Sequence, residues 1–177
     1  GPIFLSTRFG NVLGSSGSVV PIFRQQITAG GPVTLTDTKM TRFVMTIKDA
    51  VDLVLLSLIN ARGGEVFVTK MPVINIKDLA IAMIEEIAAD KIEIEEIGCK
   101  PGEKLYEELM SDEETRRAVE LPKFFSVLPA FRNLYADIDY DYPNVVEEVV
   151  TDPYISEKQE ILSVSEIRQL LTSNKLI

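Results

Sequence analysis

The 177-residue sequence has no histidine and a single cysteine, Cys99. The lack of histidine removes the commonest general base and the commonest transition-metal ligand, so no Ser-His-Asp or Cys-His site can form within this chain. A lone cysteine excludes an intramolecular disulfide and favours a cytoplasmic location. No apolar run reaches the roughly 18–20 residues that a membrane span needs, and no signal peptide is visible. We therefore expect no membrane span and no metal site.

Positive charge is also scarce, since 18 Lys and Arg residues stand against 27 Asp and Glu residues, which gives a net charge of −9. Nothing here builds the basic stripe that nucleic acid or an anionic membrane requires, so we expect no nucleic-acid partner. An acidic protein that handles an anionic ligand must use a few local cations. The hydrophobic fraction of 46% and the charged fraction of 25% are typical of a soluble globular domain.

The pattern of short apolar segments and amphipathic runs predicts an α/β fold. Strands are predicted near the start of the chain and over residues 33–37, 65–69, 91–97 and 124–128. Helices are predicted over residues 19–29, after Thr46, after Asn75, through residues 105–110 and after Ser163. The helix after Thr46 is so apolar that we expect it to be buried on more than one side.

Three glycines, Gly10, Gly14 and Gly17, follow the opening strand, and Asp37 lies about twenty residues further on, which mimics a dinucleotide-binding fingerprint. The spacing is G-x-x-x-G-x-x-G rather than G-x-G-x-x-G, and Pro21 lies where the phosphate-binding helix should already be running. We therefore expect no cofactor site within this segment. It is either a flexible connection or a loop whose following helix offers free N–H donors to an anion.

Several charged residues are candidates for ligand binding. Arg42 is flanked by apolar residues, and a buried arginine needs an anionic partner, either a carboxylate or a phosphate. Lys100 and Glu103 lie on either side of a Pro-Gly turn, where they either hold a phosphate and a sugar hydroxyl or only form the start of a helix. Tyr106 is expected to pack against Met110 on one helix face rather than to react, so no catalytic residue is predicted.

Four segments occur in order along the chain: RFGNVLGSSGSVVP from Arg8, MTRFVMT from Met40, KMP from Lys70 and KPGEKLYEEL from Lys100. Together they resemble the C-terminal half of the polysaccharide-biosynthesis UDP-sugar 4,6-dehydratases, which are extended short-chain dehydrogenase/reductases typified by the UDP-N-acetylglucosamine enzyme. The closing LSVSEIRQLL from Leu162 is also similar to the C-terminal helix of that family.

The resemblance implies that the Rossmann strands, the Gly-rich NADP loop and the Tyr-x-x-x-Lys catalytic pair belong to an N-terminal half that this sequence lacks. The longer protein would oxidise C4 of the sugar with bound NADP, lose water across C5–C6 and return the hydride to C6. A dehydratase that also epimerises C5, and a close epimerase relative, stay open alternatives. NADP is therefore expected only in the longer protein, and the fragment alone is expected to have no dehydratase activity.

By the same resemblance, the UDP-sugar would be bound by residues of this chain. Asn11 would reach the pyrophosphate or the sugar, and the backbone of Ser18, Val19 and Val20 would contact the uracil. UDP-N-acetylglucosamine is the expected ligand.

The charged candidates also receive roles from the resemblance. Arg42 would hold the pyrophosphate, and Glu103 would bind the ribose hydroxyls. Position 100 is usually arginine in the family, and Lys100 keeps the charge but cannot contact a phosphate with two parallel hydrogen bonds.

The expected organisation is a remnant of tag cleavage at residues 1–2, a substrate-binding α/β domain over 3–136, and a polar surface excursion with a C-terminal helix of the same domain over 137–177. An opening strand that belonged to a larger sheet would expose apolar surface, so we expect a homo-oligomer. The alternative is a stand-alone, non-catalytic module for nucleotide-sugar binding or assembly. An upstream Gly-rich βαβ unit and a Tyr-x-x-x-Lys pair in the gene would favour the enzyme.

Overall fold

A computed structural model describes residues 2–99, 101–131 and 135–177 and has the mixed α/β fold that the sequence predicts. Two compact units are formed. Unit 1 comprises Gly1–Phe9, Ile47–Lys70 and Glu108–Ile155, and unit 2 comprises Gly10–Thr46, Met71–Glu107 and Ser156–Ile177. The division at residue 136 drawn from the sequence stays a prediction.

Unit 1 is built on a sheet of four strands. The strands are β1 (Ser6–Arg8), β5 (Val66–Thr69), β10 (Phe124–Val127) and β9 (Ala118–Glu120), in that order across the sheet. β1 is parallel to β5, and the other pairs are antiparallel. The predicted strand over 124–128 is thus confirmed, and the opening strand is a short edge strand. The unit also contains helices α2 (Ile47–Asn60) and α4 (Asp112–Thr115) and the pair β8 (Glu108–Met110) and β11 (Tyr154–Ile155).

The core of unit 1 surrounds Phe67, whose ring meets the rings of Phe124 and Tyr142 edge to face, with centroid distances of 5.1 and 6.4 Å. Tyr142 comes from the segment predicted as a surface excursion, yet it is only 4% exposed. The proline and polar residues around Tyr142 predict an exposed segment, so the composition does not indicate that this side chain is buried. The buried tyrosine therefore fastens that segment to the sheet.

A buried carboxylate, Glu65, lies beside this core and is 0% exposed. It accepts hydrogen bonds from the backbone N–H groups of Arg62 and Gly63 and from the Tyr142 hydroxyl, the last at 3.1 Å. Ser126 Oγ donates to the Tyr142 oxygen at 3.0 Å. Burial raises the pKa of Tyr142 well above its ordinary value. The polar groups of this network therefore bind one another and the backbone.

The edge strand β1 is fastened by an ion pair between Arg8 and Glu114, whose atoms lie 2.7 Å apart. Arg8 also donates to the carbonyl of Leu109 at 2.7 Å, and Glu114 accepts from the backbone N–H of Ser111 at the start of α4. The hydrogen bond from Arg8 lowers the pKa of Glu114 to about 2. The pair joins two segments of unit 1 that are distant in sequence.

Helix α2 differs from the expectation that it is buried on more than one side. Only Leu53 and Ser57 are buried among its 14 residues. They are four apart and form one face, from which Leu53 packs into the core around Phe67. Leu55, Leu58 and Ile59 are 53%, 64% and 76% exposed. In the part of the chain that the structure describes, no helix is both long and apolar enough to cross a membrane.

The helix predicted through residues 105–110 is also wrong, because strand β8 forms over Glu108–Met110. β8 pairs with β11, which comes much later in the sequence, and Met110 is fully buried. In so short a run the helical spacing of Tyr106 and Met110 does not decide the structure, and the distant strand partner does.

Unit 2 contains a sheet of three strands, with order β2 (Asn11–Val12), β4 (Thr41–Met45) and β6 (Val73–Asn75). β2 is parallel to β4, and β4 is antiparallel to β6. A separate parallel pair joins β3 (Val33–Leu35) to β7 (Ile94–Glu96). Three helices, α1 (Val19–Thr28), α3 (Ile76–Ile87) and α5 (Val164–Ser173), complete the unit with a short 3-10 helix, Ser156–Lys158.

The helices of unit 2 begin where the sequence predicts. Asn75 accepts from the backbone N–H groups of Lys77 and Asp78 at the start of α3. Ser163 and Glu166 form a reciprocal capping box at the start of α5. One apolar core, which includes Phe23, Leu79 and Ile167, lies between these helices and the strands. This core supports the strands that carry the candidate site.

Candidate functional site

A cavity of about 440 Å³ opens within unit 2. Its wall is formed by β2 and the loop after it, the start of α1, strands β3, β4 and β6, the start of α3, and residues 97 and 103. Most of the wall is apolar, and the polar side chains on it include Asn11, Arg42 and Glu103. Small-molecule sites typically have volumes of about 300–1,000 Å³ and a few polar groups in an apolar wall.

The cavity brings together most of the residues that the sequence nominates. The nominated residues on its wall are Asn11, Ser18, Val19, Arg42 and Glu103. Val20 is not among the residues that line the cavity, and it is 2% exposed with its side chain in the core of unit 2. The contact of its backbone with uracil stays a prediction. Lys100 lies outside the described residues, so its place relative to the cavity stays a prediction.

The start of helix α1 faces the cavity through Ser18 and Val19. Ser18 is the N-cap residue, but its side chain makes no capping hydrogen bond. Its hydroxyl oxygen is buried and has no hydrogen-bond partner among the described residues. The N–H groups of a first helical turn also lack partners within the helix. This corner of the cavity therefore contains hydrogen-bonding groups that no described residue uses.

Arg42 projects from β4 and binds backbone carbonyls. Its Nη1 donates to Thr41 O at 2.8 Å and to Leu105 O at 3.3 Å, and its Nη2 donates to Lys104 O at 2.8 Å. Its Nε lies 3.9 Å from Glu107 Oε1. Guanidinium has five N–H donors, so these bonds leave Nε–H and one Nη2–H for other partners. Both alternatives raised by the sequence, an internal carboxylate and an anionic ligand, are therefore compatible at Arg42.

Asn11 lies on β2 and is held by a residue that the sequence analysis did not nominate, Glu107. Asn11 Nδ2 donates to Glu107 Oε1 and Oε2 at 2.9 and 3.0 Å and to Phe43 O at 2.9 Å. Glu107 Oε2 also accepts from the Phe43 N–H at 2.9 Å. One carboxylate thus contacts both β2 and β4 where these strands border the cavity.

The backbone of Glu107 is fixed as firmly as its side chain. Its N–H donates to Ser156 Oγ and its carbonyl accepts from the Ser156 N–H, both at 2.9 Å. Ser156 Oγ lies 2.8 Å from Thr41 Oγ, and both residues are buried. The sequence does not nominate Glu107, because no local pattern connects it to Asn11, from which 96 positions separate it.

The glycine-rich loop does not fit a dinucleotide. Gly14 and Gly17 have φ angles of 75° and 76°, so they form a left-handed turn between β2 and α1. β2 is only 2 residues long and lies at the edge of its sheet, whereas a dinucleotide loop follows a central parallel strand. Gly17 instead lines the same cavity as Arg42 and Glu103.

Comparison with known proteins places the chain in a family. The family described as "Polysaccharide biosynthesis protein" matches residues 1–129. UDP-glucose 4-epimerase from Rickettsia prowazekii is 39% identical over 170 residues, which cover 96% of this chain and 49% of the relative. An uncharacterized membrane protein of Methanocaldococcus jannaschii is 52% identical over 132 residues, which cover 71% of this chain and 40% of the relative. The chain thus spans half or less of the length of these two relatives.

A solved structure has a similar fold. The X-ray structure of Pen from Bacillus thuringiensis is 40% identical in sequence and superposes with a TM-score of 0.86. The match covers 99% of this chain and 51% of Pen. Both units therefore occur in the fold of a longer protein.

Proposed function

Because the chain belongs to the polysaccharide biosynthesis protein family, we propose that it is the UDP-sugar-binding part of a nucleotide-sugar-modifying enzyme. The observation that carries the proposal is the cavity of about 440 Å³ in unit 2, which is lined by Asn11, Ser18, Arg42 and Glu103. The similarity to a UDP-glucose 4-epimerase over 96% of this chain supports the same class of ligand.

The chemistry of the wall suits a nucleoside diphosphate sugar. Apolar side chains such as Phe23 and Leu35 can contact the flat face of a base. The two uncommitted N–H donors of Arg42 suit a diphosphate oxygen. The Glu103 carboxylate suits ribose hydroxyls as an acceptor, and the start of α1 suits the carbonyl groups of uracil. We assign UDP-N-acetylglucosamine as the substrate and Lys100 as a further phosphate contact.

For the reaction of the longer protein, we favour 4,6-dehydration on the motifs quoted from the sequence. The identity of 39% to a UDP-glucose 4-epimerase favours a second candidate, 4-epimerisation. Both candidates act at C4 of a UDP-bound sugar. Product analysis separates them, because dehydration removes one water from the sugar and epimerisation leaves its mass unchanged.

The proposed cofactor of the longer protein is NADP. The described residues of this chain do not fit it, since the glycine spacing and the edge position of β2 are wrong for a dinucleotide. We therefore place NADP on other parts of the longer protein and propose that the 177-residue chain alone neither binds NADP nor turns over UDP-N-acetylglucosamine.

Calorimetry with the purified 177-residue chain tests these proposals. We expect weak, saturable heat with UDP and with UDP-N-acetylglucosamine and none with NADP. An absence of UDP binding would contradict the assignment of the cavity, and NADP binding would contradict the assignment of the cofactor. Measurable turnover by this chain would contradict the proposal that catalysis requires other parts of the longer protein.

A cytoplasmic homo-oligomer remains our proposal for its cellular form. The exposed apolar side chains of α2, among them Leu58 and Ile59, support self-association because large apolar patches are rarely left in water. Light scattering should find more than one copy per particle, and Leu58→Glu should reduce the mass. A monomer at high concentration would count against the proposal.

A further inference from the structure

The amide of Asn11 has its orientation fixed by its partners. Glu107 Oε1, Glu107 Oε2 and Phe43 O can only accept hydrogen bonds, and all three lie within 3.0 Å of one terminal atom of the Asn11 side chain. That atom must therefore be the nitrogen, and both of its hydrogens are engaged. In the described part of the chain, no group donates to the other terminal atom, Oδ1.

We infer that Glu107 is a positioning residue that makes Asn11 a hydrogen-bond acceptor toward the ligand. This inference rests on the proposed function, and it decides between the two roles open to Asn11. An acceptor cannot bind a diphosphate oxygen, which also only accepts. Asn11 therefore recognises a donor on the sugar, which is either a hydroxyl group or the N–H of an acetamido group.

This assignment indicates which part of the ligand Arg42 and Asn11 each bind. Arg42 retains N–H donors and no acceptor, so it takes the diphosphate. Asn11 retains one acceptor and no donor, so it takes the sugar. Glu107 Oε1 accepts from Asn11 Nδ2 at 2.9 Å, whereas it lies 3.9 Å from Arg42 Nε. The carboxylate thus sets the role of Asn11, while Arg42 is a donor in any orientation.

The affinities for UDP and for UDP-N-acetylglucosamine test the inference, because only the second ligand carries the sugar. Asn11→Ala should weaken UDP-N-acetylglucosamine about ten-fold and change UDP less than two-fold. Glu107→Ala should also lower the ratio of the affinity for UDP-N-acetylglucosamine to the affinity for UDP, because the freed Asn11 amide can rotate. Glu107→Gln keeps one acceptor oxygen for Asn11 and should restore the ratio to within about three-fold of the original protein. Glu108→Ala, an exposed neighbour, is the matched control.

Equal loss of both ligands in Asn11→Ala would overturn the inference, since Asn11 would then contact the diphosphate. An unchanged ratio in Glu107→Ala would overturn it as well, because Glu107 would then have only a structural role. These results leave UDP binding by the original protein intact, so they are distinct from a failure of the proposed function, in which the original protein binds neither ligand.

A measurement without ligand tests the orientation itself. Asn11 and Asn144 are both exposed, so their exchange rates compare hydrogen bonding rather than burial. In NMR spectra of ¹⁵N-labelled protein, the Asn11 side-chain NH₂ hydrogens should exchange with water at least about ten-fold more slowly than those of Asn144. Glu107→Ala should remove most of this protection, and Glu107→Gln should retain part of it. Exchange of Asn11 as fast as that of Asn144 in the original protein would overturn the inference.

Discussion

Unit 1 and unit 2 use their polar side chains in different ways. In unit 1, Glu65 and Tyr142 are buried, and their polar atoms bind one another and the backbone. In unit 2, Ser18 has a hydroxyl without a partner among the described residues, and Arg42 keeps uncommitted donors beside a cavity. The first arrangement stabilises a fold, and the second can bind a ligand.

Because of this difference, we expect substitutions in unit 1 to affect stability and substitutions on the cavity wall of unit 2 to affect binding. Removing a polar group from unit 1 leaves buried donors without acceptors, which is costly in free energy. Removing a polar group from the cavity wall of unit 2 leaves the surrounding groups in contact with solvent.

The largest effect is expected for Glu65→Ala in unit 1. This change leaves the N–H groups of Arg62 and Gly63 and the hydroxyl of Tyr142 without their acceptor, so the free energy of unfolding should fall by about 3–5 kcal/mol. Urea unfolding measures the loss. Glu65→Gln keeps one acceptor oxygen, so its free energy of unfolding should fall by less than that of Glu65→Ala. A cost below about 1 kcal/mol for the alanine variant would show that the network contributes little.

Arg42→Met in unit 2 should have a smaller effect, and mainly on binding. Loss of the guanidinium should weaken UDP about ten-fold or more, because a charged hydrogen bond contributes about 1.5–3 kcal/mol. Calorimetry measures this change. Arg24→Met is a matched control, since Arg24 lies in the same unit and is not on the cavity wall. Equal effects in the two variants would indicate that only net charge matters.

The Arg8–Glu114 pair in unit 1 should stabilise the fold in a pH-dependent way. The folded-state pKa of Glu114 is about 2, below its ordinary value of 4.5, so the stabilisation is present above about pH 4.5 and is lost as the pH falls toward 2. Because Arg8 is partly exposed, Arg8→Met should cost only about 1–2 kcal/mol at pH 7. Urea unfolding at pH 7, 4 and 3 should find a cost that shrinks with acidity. A constant cost would contradict the pairing.

The smallest effect is expected for Ser18→Ala. The Ser18 hydroxyl caps nothing, so its removal should change stability by less than about 0.5 kcal/mol. Ser163→Ala removes a complete capping box from α5 in the same unit and should cost about 1 kcal/mol. Thermal unfolding compares the two. Equal costs would mean that Ser18 has a structural role after all.

Much of the secondary structure could be predicted from the sequence because its determinants are local. The cap of α5 at Ser163 depends on neighbouring residues, and the short apolar run over 124–127 is enough to indicate a buried strand. Strand β8 could not be predicted, because pairing with β11 overrides the helical spacing of residues 105–110. The exposed face of α2 was missed because apolar content does not tell which sides of a helix are covered.

The candidate site was only partly predictable for a similar reason. Asn11, Arg42 and Glu103 were nominated by resemblance, and the structure brings them to one cavity. Glu107 was not nominated, because its importance comes from contacts with Asn11 and Phe43, which are far away in sequence. A resemblance can suggest the role of a residue, but a structure is needed to identify the residues that orient it.

The most direct test of the central claim, that unit 2 carries a UDP-sugar site, is an NMR titration of the ¹⁵N-labelled chain with UDP. Backbone signals of residues on the cavity wall, such as Ser18, Val19 and Thr36, should shift and saturate together, while those of Phe67 and Phe124 in unit 1 should stay unchanged. No shift at the cavity wall, or the largest shifts in unit 1, would contradict the account.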